Sequence, residues 1–241
     1  MIMPKKHAAL ITGSAKRLGK SIALHLASLG YDIALHYDQS AKEARQLRSV
    51  IMKNNVRCEC FSCDLSNENK TARLIPNVLK TFPRLNVLIN NASIFQKSDL
   101  KQADVSSFDR HFSIHVKAPF ILSGAFADKC KKGLIINILD TNVVKNKTSY
   151  ATYLLSKKSL HDLTLLSALA FAPKIRVNGI APGVILPSKD TSANNLNPLI
   201  KTIPLKQKGR AFHITQAVQF LIENGYLTGQ IIFADGGQSL V

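Results

Sequence analysis

Short apolar runs alternate with amphipathic stretches along this sequence, and that alternation leaves few folds open. Ala8–Thr12 is a compact apolar run, followed by a turn containing glycine. Leu18, Ile22, Leu26 and Leu29 then fall on one helical face. Asp32–His36 is the next expected strand, and Ala41, Ala44, Leu47 and Ile51 mark a second helix. Val56–Phe61, Val87–Ile89, Leu134–Leu139, Ile175–Ile180 and Gln230–Phe233 read as further strands, and Ser149–Leu169 is the longest helical pattern. Such alternation predicts an α/β fold with a parallel sheet covered on both faces. Ligands of such sheets bind beyond the carboxyl ends of the strands, where the strand order reverses. With 241 residues, no internal repeat and no linker-like segment, the chain is expected to form a single domain over 1–241.

The charge balance is +17, from 32 Lys and Arg against 15 Asp and Glu, which raises polyanions as partners. The basic residues are spread, however, and the densest groups are pairs such as Lys131–Lys132 and Lys157–Lys158. No specific nucleic-acid binding is expected. No apolar run reaches the roughly 18 residues of a membrane span, and the charged start leads into too short an apolar stretch for a signal peptide. The expectation is a soluble, cytoplasmic protein with no membrane contact. Cys58, Cys60 and Cys63 lack a neighbouring His or second CxxC, so no metal is expected.

Each candidate motif follows an expected strand. Gly13-Ser14-Ala15-Lys16-Arg17-Leu18-Gly19 connects the first strand to the first helix. Gly13 allows a close backbone approach to a pyrophosphate, Gly19 allows close helix packing, and the helix start offers unpaired N–H groups. Arg17 stands where a middle glycine is usual, and its guanidinium can hold phosphate bidentately. After the second strand, Asp38 could bind a ribose 2′-OH, as in NAD enzymes. Lys16, Arg17 and the Ser40 hydroxyl could instead surround a 2′-phosphate, and this arrangement favours NADPH. Tyr153 and Lys157 are four residues apart on the longest helix and so share a face. An ammonium beside a phenol is expected to favour the phenolate and ease proton transfer. Tyr150 lacks such a helper, because Leu154 stands four residues on. Asp140 falls at the end of the Leu134–Leu139 strand, where it could cap the next turn or relay a proton.

Taken together, Thr12-Gly13-x3-Arg17-x-Gly19, Asn90-Asn91-Ala92-Ser93, Tyr153-x3-Lys157, Ala181-Pro182-Gly183 and Asp235-Gly236-Gly237 span nearly the whole chain. This series resembles the short-chain dehydrogenase/reductase family. The resemblance implies a Rossmann-type sheet of seven parallel strands in the order 3-2-1-4-5-6-7, with helices on both faces, and an NAD(P)H-dependent oxidoreductase, usually a homotetramer. The turn with Arg17, Asp140 in place of the family's catalytic Ser, and Asn90-Asn91-Ala92-Ser93-Ile94-Phe95 resemble the pteridine and dihydromonapterin reductases. One departure is His115, which stands where the family has a helical Asn that helps hold a water chain to the lysine.

The resemblance implies catalytic Asp140, Tyr153 and Lys157. It implies a cofactor, NADPH, held by Gly13, Ser14, Lys16, Arg17, Leu18, Tyr37, Ser40, Asp64, Leu65, Asn91, Ala92, Ser93, Lys157, Pro182 and Gly183. A pterin would lie between the nicotinamide and Phe95, with Arg17, Asp140 and Tyr153 as further contacts, under a flap at about 186–206. Dihydropterins are the expected substrates, dihydrofolate among the candidates. A ketone or 3-oxoacyl thioester reductase and a non-catalytic NADPH-binding module are the alternatives. The first lacks its usual Ser, and an intact Tyr153–Lys157 pair argues against the second.

Overall fold

In the computed structural model, the described residues are 7–102, 104–186 and 193–241, without the side chains of 193–196. The strands are β1 (Ala8–Ile11), β2 (Asp32–Tyr37), β3 (Cys58–Ser62), β4 (Leu85–Asn90), β5 (Gly133–Ile138), β6 (Ile175–Pro182) and β7 (Ile231–Ala234). They form one parallel sheet in the order β3-β2-β1-β4-β5-β6-β7. Ile11 of β1 pairs with Leu35 of β2 on one side and Ile89 of β4 on the other. The chain therefore leaves β1 in one direction and returns on its opposite side. The loops after β1 and β4 diverge there and open a crevice.

The helices are α1 (Arg17–Ser28), α2 (Ala41–Ile51), α3 (Glu68–Thr81), α4 (Val105–Phe112), α5 (Ala118–Lys129), α6 (Ala151–Phe171), α7 (Ala193–Thr202) and α8 (Ala211–Glu223). Alternate strand residues feed two cores. Ala9, Ile11, Ile33 and Leu35 pack with Ile22, Leu26, Leu47 and Val218 of α1, α2 and α8. Leu10, Leu88, Ile135 and Val177 face Ile75, Val78, Leu122 and Phe126 of α3 and α5. Burial on both faces explains why β1 reads as an unbroken apolar run. Among the described residues no helix is long and apolar enough to cross a membrane.

The expected strands lie within two residues of the observed ones. β3 starts late because Met52–Asn54 forms a 3-10 turn and Asn55 takes φ +56°. The long helix begins at Ala151, not Ser149, because Tyr150 takes φ +64° and stays outside it. Of the expected flap, residues 187–192 lie outside the described residues, while Ala193–Thr202 is helical. A π-helical turn, Ser113–Lys117, joins α4 to α5. Such turns are rare and concentrate at functional sites, and this one carries His115.

Gly19 sits where α1 meets the turn after β1. A Cβ there would collide with the Gly13 carbonyl, lie 2.6 Å from Asn91 Nδ2 and 2.8 Å from Ser14 Cα. Two of the three are backbone-borne obstacles that cannot rotate aside. Gly19→Ala should therefore lower stability by about 1–3 kcal/mol and distort the crevice. Chemical denaturation checks this, and an unchanged midpoint would contradict the packing role.

Candidate active site

The crevice beyond the strand ends is a cleft of about 920 Å³. One wall is α6. Tyr153 and Lys157 lie one turn apart on it, and both are buried. The Lys157 ammonium donates to the Ile138 carbonyl at the end of β5 (2.7 Å) and sits 5.9 Å from the Tyr153 ring centroid. Burial pulls Lys157 down to about 8, with Asp140 opposing the shift.

The Tyr153 hydroxyl donates to Asp140 Oδ2 at 2.8 Å. Burial, reinforced by the Asp140 charge and hydrogen bond, pushes the phenol well above its ordinary value of 10. This reverses the expected lowering: Lys157 is spent on a carbonyl while an acidic group meets the phenol oxygen. Tyr153 therefore carries its proton at neutral pH.

Asp140 both caps and faces the cleft. Its Oδ1 accepts from the backbone and side-chain N–H groups of Asn142, each at 2.7 Å, so Oδ2 is turned to Tyr153. The next residue, Thr141, donates to Asp235 Oδ2 (2.6 Å), which also accepts from the Ser239 amide (2.7 Å). The Asp235-Gly236-Gly237 motif thus anchors the loop that carries Asp140.

The opposite wall is the glycine turn. Gly13 takes φ +62°, and Arg17 takes φ +53°, a left-handed conformation that glycine adopts more easily. The Gly13 amide donates to His36 Nδ1 (2.9 Å), so His36 Nε2 carries the proton, donated to the Cys63 carbonyl at 2.9 Å. Burial drops His36 to about 4 despite that backbone bond, which keeps it neutral. Ser14 is buried, and its hydroxyl donates to the His36 carbonyl, so the fold uses it internally. Lys16 is paired with Glu43 at 2.8 Å on the surface. Arg17 reaches across the cleft and donates to the Leu186 carbonyl at 3.2 Å.

Between these walls runs the loop after β4. The amides of Asn91 and Ala92 both donate to Thr12 Oγ1 (2.9 and 3.0 Å), and Asn91 Nδ2 donates to the Thr12 carbonyl (2.9 Å). Phe95 stands half-exposed at the mouth. Its ring stacks on Tyr150 at 4.4 Å and meets Tyr153 edge-on at 4.8 Å. Gly13, Leu18, Asp64, Leu65, Ser93, Pro182 and Gly183 also line the cleft, as does Asp38, whereas Ser14, Tyr37 and Ser40 are not among its lining residues. The Asp38 carboxyl is raised by partial burial and by Asp64, against Lys70 and Arg110. Three contributors escaped the sequence reading, Thr12, His36 and the Ile138 carbonyl, whereas Tyr150 was set aside there and returns as the stacking partner of Phe95. The partners of those three are distant in sequence, and only the Thr12-Gly13 dipeptide hinted at one of them.

Residues 13–239 match the family model described as enoyl-(acyl carrier protein) reductase. Pteridine reductase 1 of Leishmania tarentolae is 30% identical over 98% of both chains. The chain belongs to the short-chain dehydrogenase/reductase family. A 3-oxoacyl-[acyl-carrier-protein] reductase of Synechocystis sp. is 29% identical over 95% of each chain. The solved structure of FolM alternative dihydrofolate reductase 1 from Brucella suis, in complex with NADP, superposes with a TM-score of 0.94 at 33% identity, covering 99% of this chain and 97% of that one. As a family member this protein is an oxidoreductase using NAD(P)H.

The residues present fit such a cofactor. The α1 N-terminus has no side-chain cap and opens toward the cleft. Asn142 lines the cleft, and its buried Oδ1 has no hydrogen-bond partner. A Cβ on Gly13 would lie 3.0 Å from Ala92 Cα and begin to fill the same space.

The Lys157 ammonium is present below about pH 8 and is lost as pH rises through that value. The kcat/KM of the free enzyme should therefore fall on an alkaline limb near pH 8, which a pH–rate profile checks. A profile flat to about pH 10, the ordinary lysine range, would contradict the assignment.

Proposed function

We propose that the protein reduces a dihydropterin to a tetrahydropterin, with NADPH as the hydride donor. One observation carries this reading. A carboxylate, Asp140, occupies the place of the family's Ser and is hydrogen-bonded to Tyr153, directly beside the exposed ring of Phe95. The similarity to pteridine reductase 1 and to an alternative dihydrofolate reductase supports it.

Bound NADPH supplies a hydride to a C=N bond of the substrate. The chain's residues then hold and deliver one proton. It rests on Tyr153 Oη, shared with Asp140 Oδ2, and the buried Lys157 charge below them stabilises the negative charge left when it departs. Asp140 is hydrogen-bond-complementary to a pterin's N–H edge, where a serine hydroxyl would be weaker. The ring of Phe95 offers a stacking surface, with Tyr150 on its other side. Thr12 fixes Asn91 and Ala92 as the wall along the cofactor. Gly13 and Leu18 would hold the pyrophosphate end, Pro182 and Gly183 the nicotinamide end, and Asp64 and Leu65 the adenine. Arg17, which lines the cleft, is the candidate for the cofactor phosphate or the pterin, and its positive charge supports NADPH over NADH. Leu155, Leu166 and Leu169 on α6 and Phe120 on α5 leave large apolar surface exposed, which supports assembly into a homotetramer.

The test is oxidation of NADPH, and of NADH, by the purified protein with 7,8-dihydromonapterin or dihydrobiopterin beside an acetoacetyl thioester. The expected result is pterin turnover, faster with NADPH. Turnover confined to the thioester would overturn the substrate and favour the activity named for the Synechocystis relative. Tyr153→Phe should lower pterin turnover by roughly 10²–10⁴-fold while NADPH binding is kept. Asp140→Ser should reduce pterin turnover far more than turnover of any ketone, and equal losses would show that Asp140 does not select the pterin.

A further inference from the structure

The loop after β4 is held by two separate anchors. Its first part, Asn91 and Ala92, hangs on Thr12. Its second part meets His115, in the π-turn between α4 and α5. The Ile94 amide donates to His115 Nε2 at 3.1 Å, and Ser93 Oγ lies 3.0 Å from the same nitrogen. An amide can donate only to an unprotonated nitrogen, so Nδ1 carries the proton and donates to Ser156 Oγ at 2.7 Å. Ser156 in turn donates to the Tyr153 carbonyl at 2.7 Å. One imidazole thus joins the backbone immediately before Phe95 to the turn of α6 that carries Tyr153. The ring is almost wholly buried and faces Tyr153 edge-on at 5.6 Å. Burial, followed by the nearby Lys157 and His111 charges, holds it well below its ordinary value of 6.5, and the lone pair on Nε2 persists at neutral pH.

We infer that His115 is a positioning residue for substrate: it clamps the backbone at Ile94 and so sets where the Phe95 ring stands relative to Tyr153. Its two nitrogens do different jobs. Nδ1 fastens the ring to α6, and Nε2 does the positioning. His115 has no free proton to pass on, because its single N–H is committed to Ser156. This assigns it a different task from a water-holding Asn at the same place. The cofactor wall, hung on Thr12, is independent of it. The inference rests on the pterin reading only for the identity of the substrate.

Two substitutions separate the nitrogens. In His115→Gln the side chain still reaches the Nε2 position and can accept from Ile94. In His115→Asn it ends near the Nδ1 position, keeps an approach to Ser156 and loses Ile94. One lost hydrogen bond of about 1 kcal/mol corresponds to roughly a five- to tenfold change. His115→Asn should therefore raise the pterin KM about five- to tenfold, with kcat and the NADPH Kd changed less than about twofold, and His115→Gln should stay near the wild type. Amide hydrogen exchange, followed residue by residue without substrate, should quicken at Ile94 in the Asn variant, remain protected in the Gln variant, and leave Asn91 and Ala92 unchanged. Wild-type behaviour of His115→Asn would overturn the inference. So would a fall in kcat at unchanged KM, the signature of a lost proton relay. The exchange measurement needs no turnover, so absence of activity on any pterin would count against the proposed substrate while the clamp is still decided at Ile94.

Discussion

The hydrogen bond from Tyr153 to Asp140 is the contact on which the proposed chemistry depends. It joins α6 to the loop after β5, and everything around it fixes one partner or the other. Asn142 occupies the second oxygen of Asp140, and Thr141 with Asp235 holds the loop. Lys157 lies beneath, committed to the Ile138 carbonyl. Among these groups burial works in opposite directions: it keeps the Tyr153 proton on and weakens the hold of Lys157 on its own. A proton donor with a buried cation a short distance behind it is suited to protonating a substrate as hydride arrives.

The fold supplies the place for this pair through topology. Because strand order reverses between β1 and β4, the glycine turn and the loop after β4 stand apart. Thr12 and His36 then set the width of the gap. Thr12 draws in the loop at Asn91, while His36 bridges the glycine turn to Cys63 beyond β3. His36 works from within β2 and Thr12 from the turn just beyond β1, so the cleft's floor is stiffened from the strand ends. Part of the backbone strain lies at the rim. Arg17 and Tyr150 both hold positive φ without being glycine, and each places a large side chain at the mouth of the cleft.

Much of this was legible in the sequence because the relevant signals are local. Strand runs, the glycine turn and the Tyr153–Lys157 spacing all lie within short windows, and the strands appeared where the apolar runs predicted them. Three helices were read from the sequence, and α3, α4, α5, α7 and α8 were not; of these α5, Ala118–Lys129, has no one-sided apolar stripe to find. The π-turn, Ser113–Lys117, is too short to leave a periodic signal. Site geometry was least legible where partners are remote: Gly13 and His36 are 23 residues apart, and Thr12 and Asn91 are 79 apart. The direction of the Tyr153 shift was misread from spacing because an i, i+4 lysine says nothing about the carbonyl that captures its ammonium.

In the proposed reaction Asp140 and Tyr153 handle the proton as one unit. A double-mutant cycle on the rate of a single pterin turnover tests it directly, using Tyr153→Phe, Asp140→Asn and the pair together. If the two act as one unit, the double variant will be little slower than the slower single variant. If the losses multiply, the residues act independently, and the hydrogen bond between them is a structural contact without a role in proton delivery.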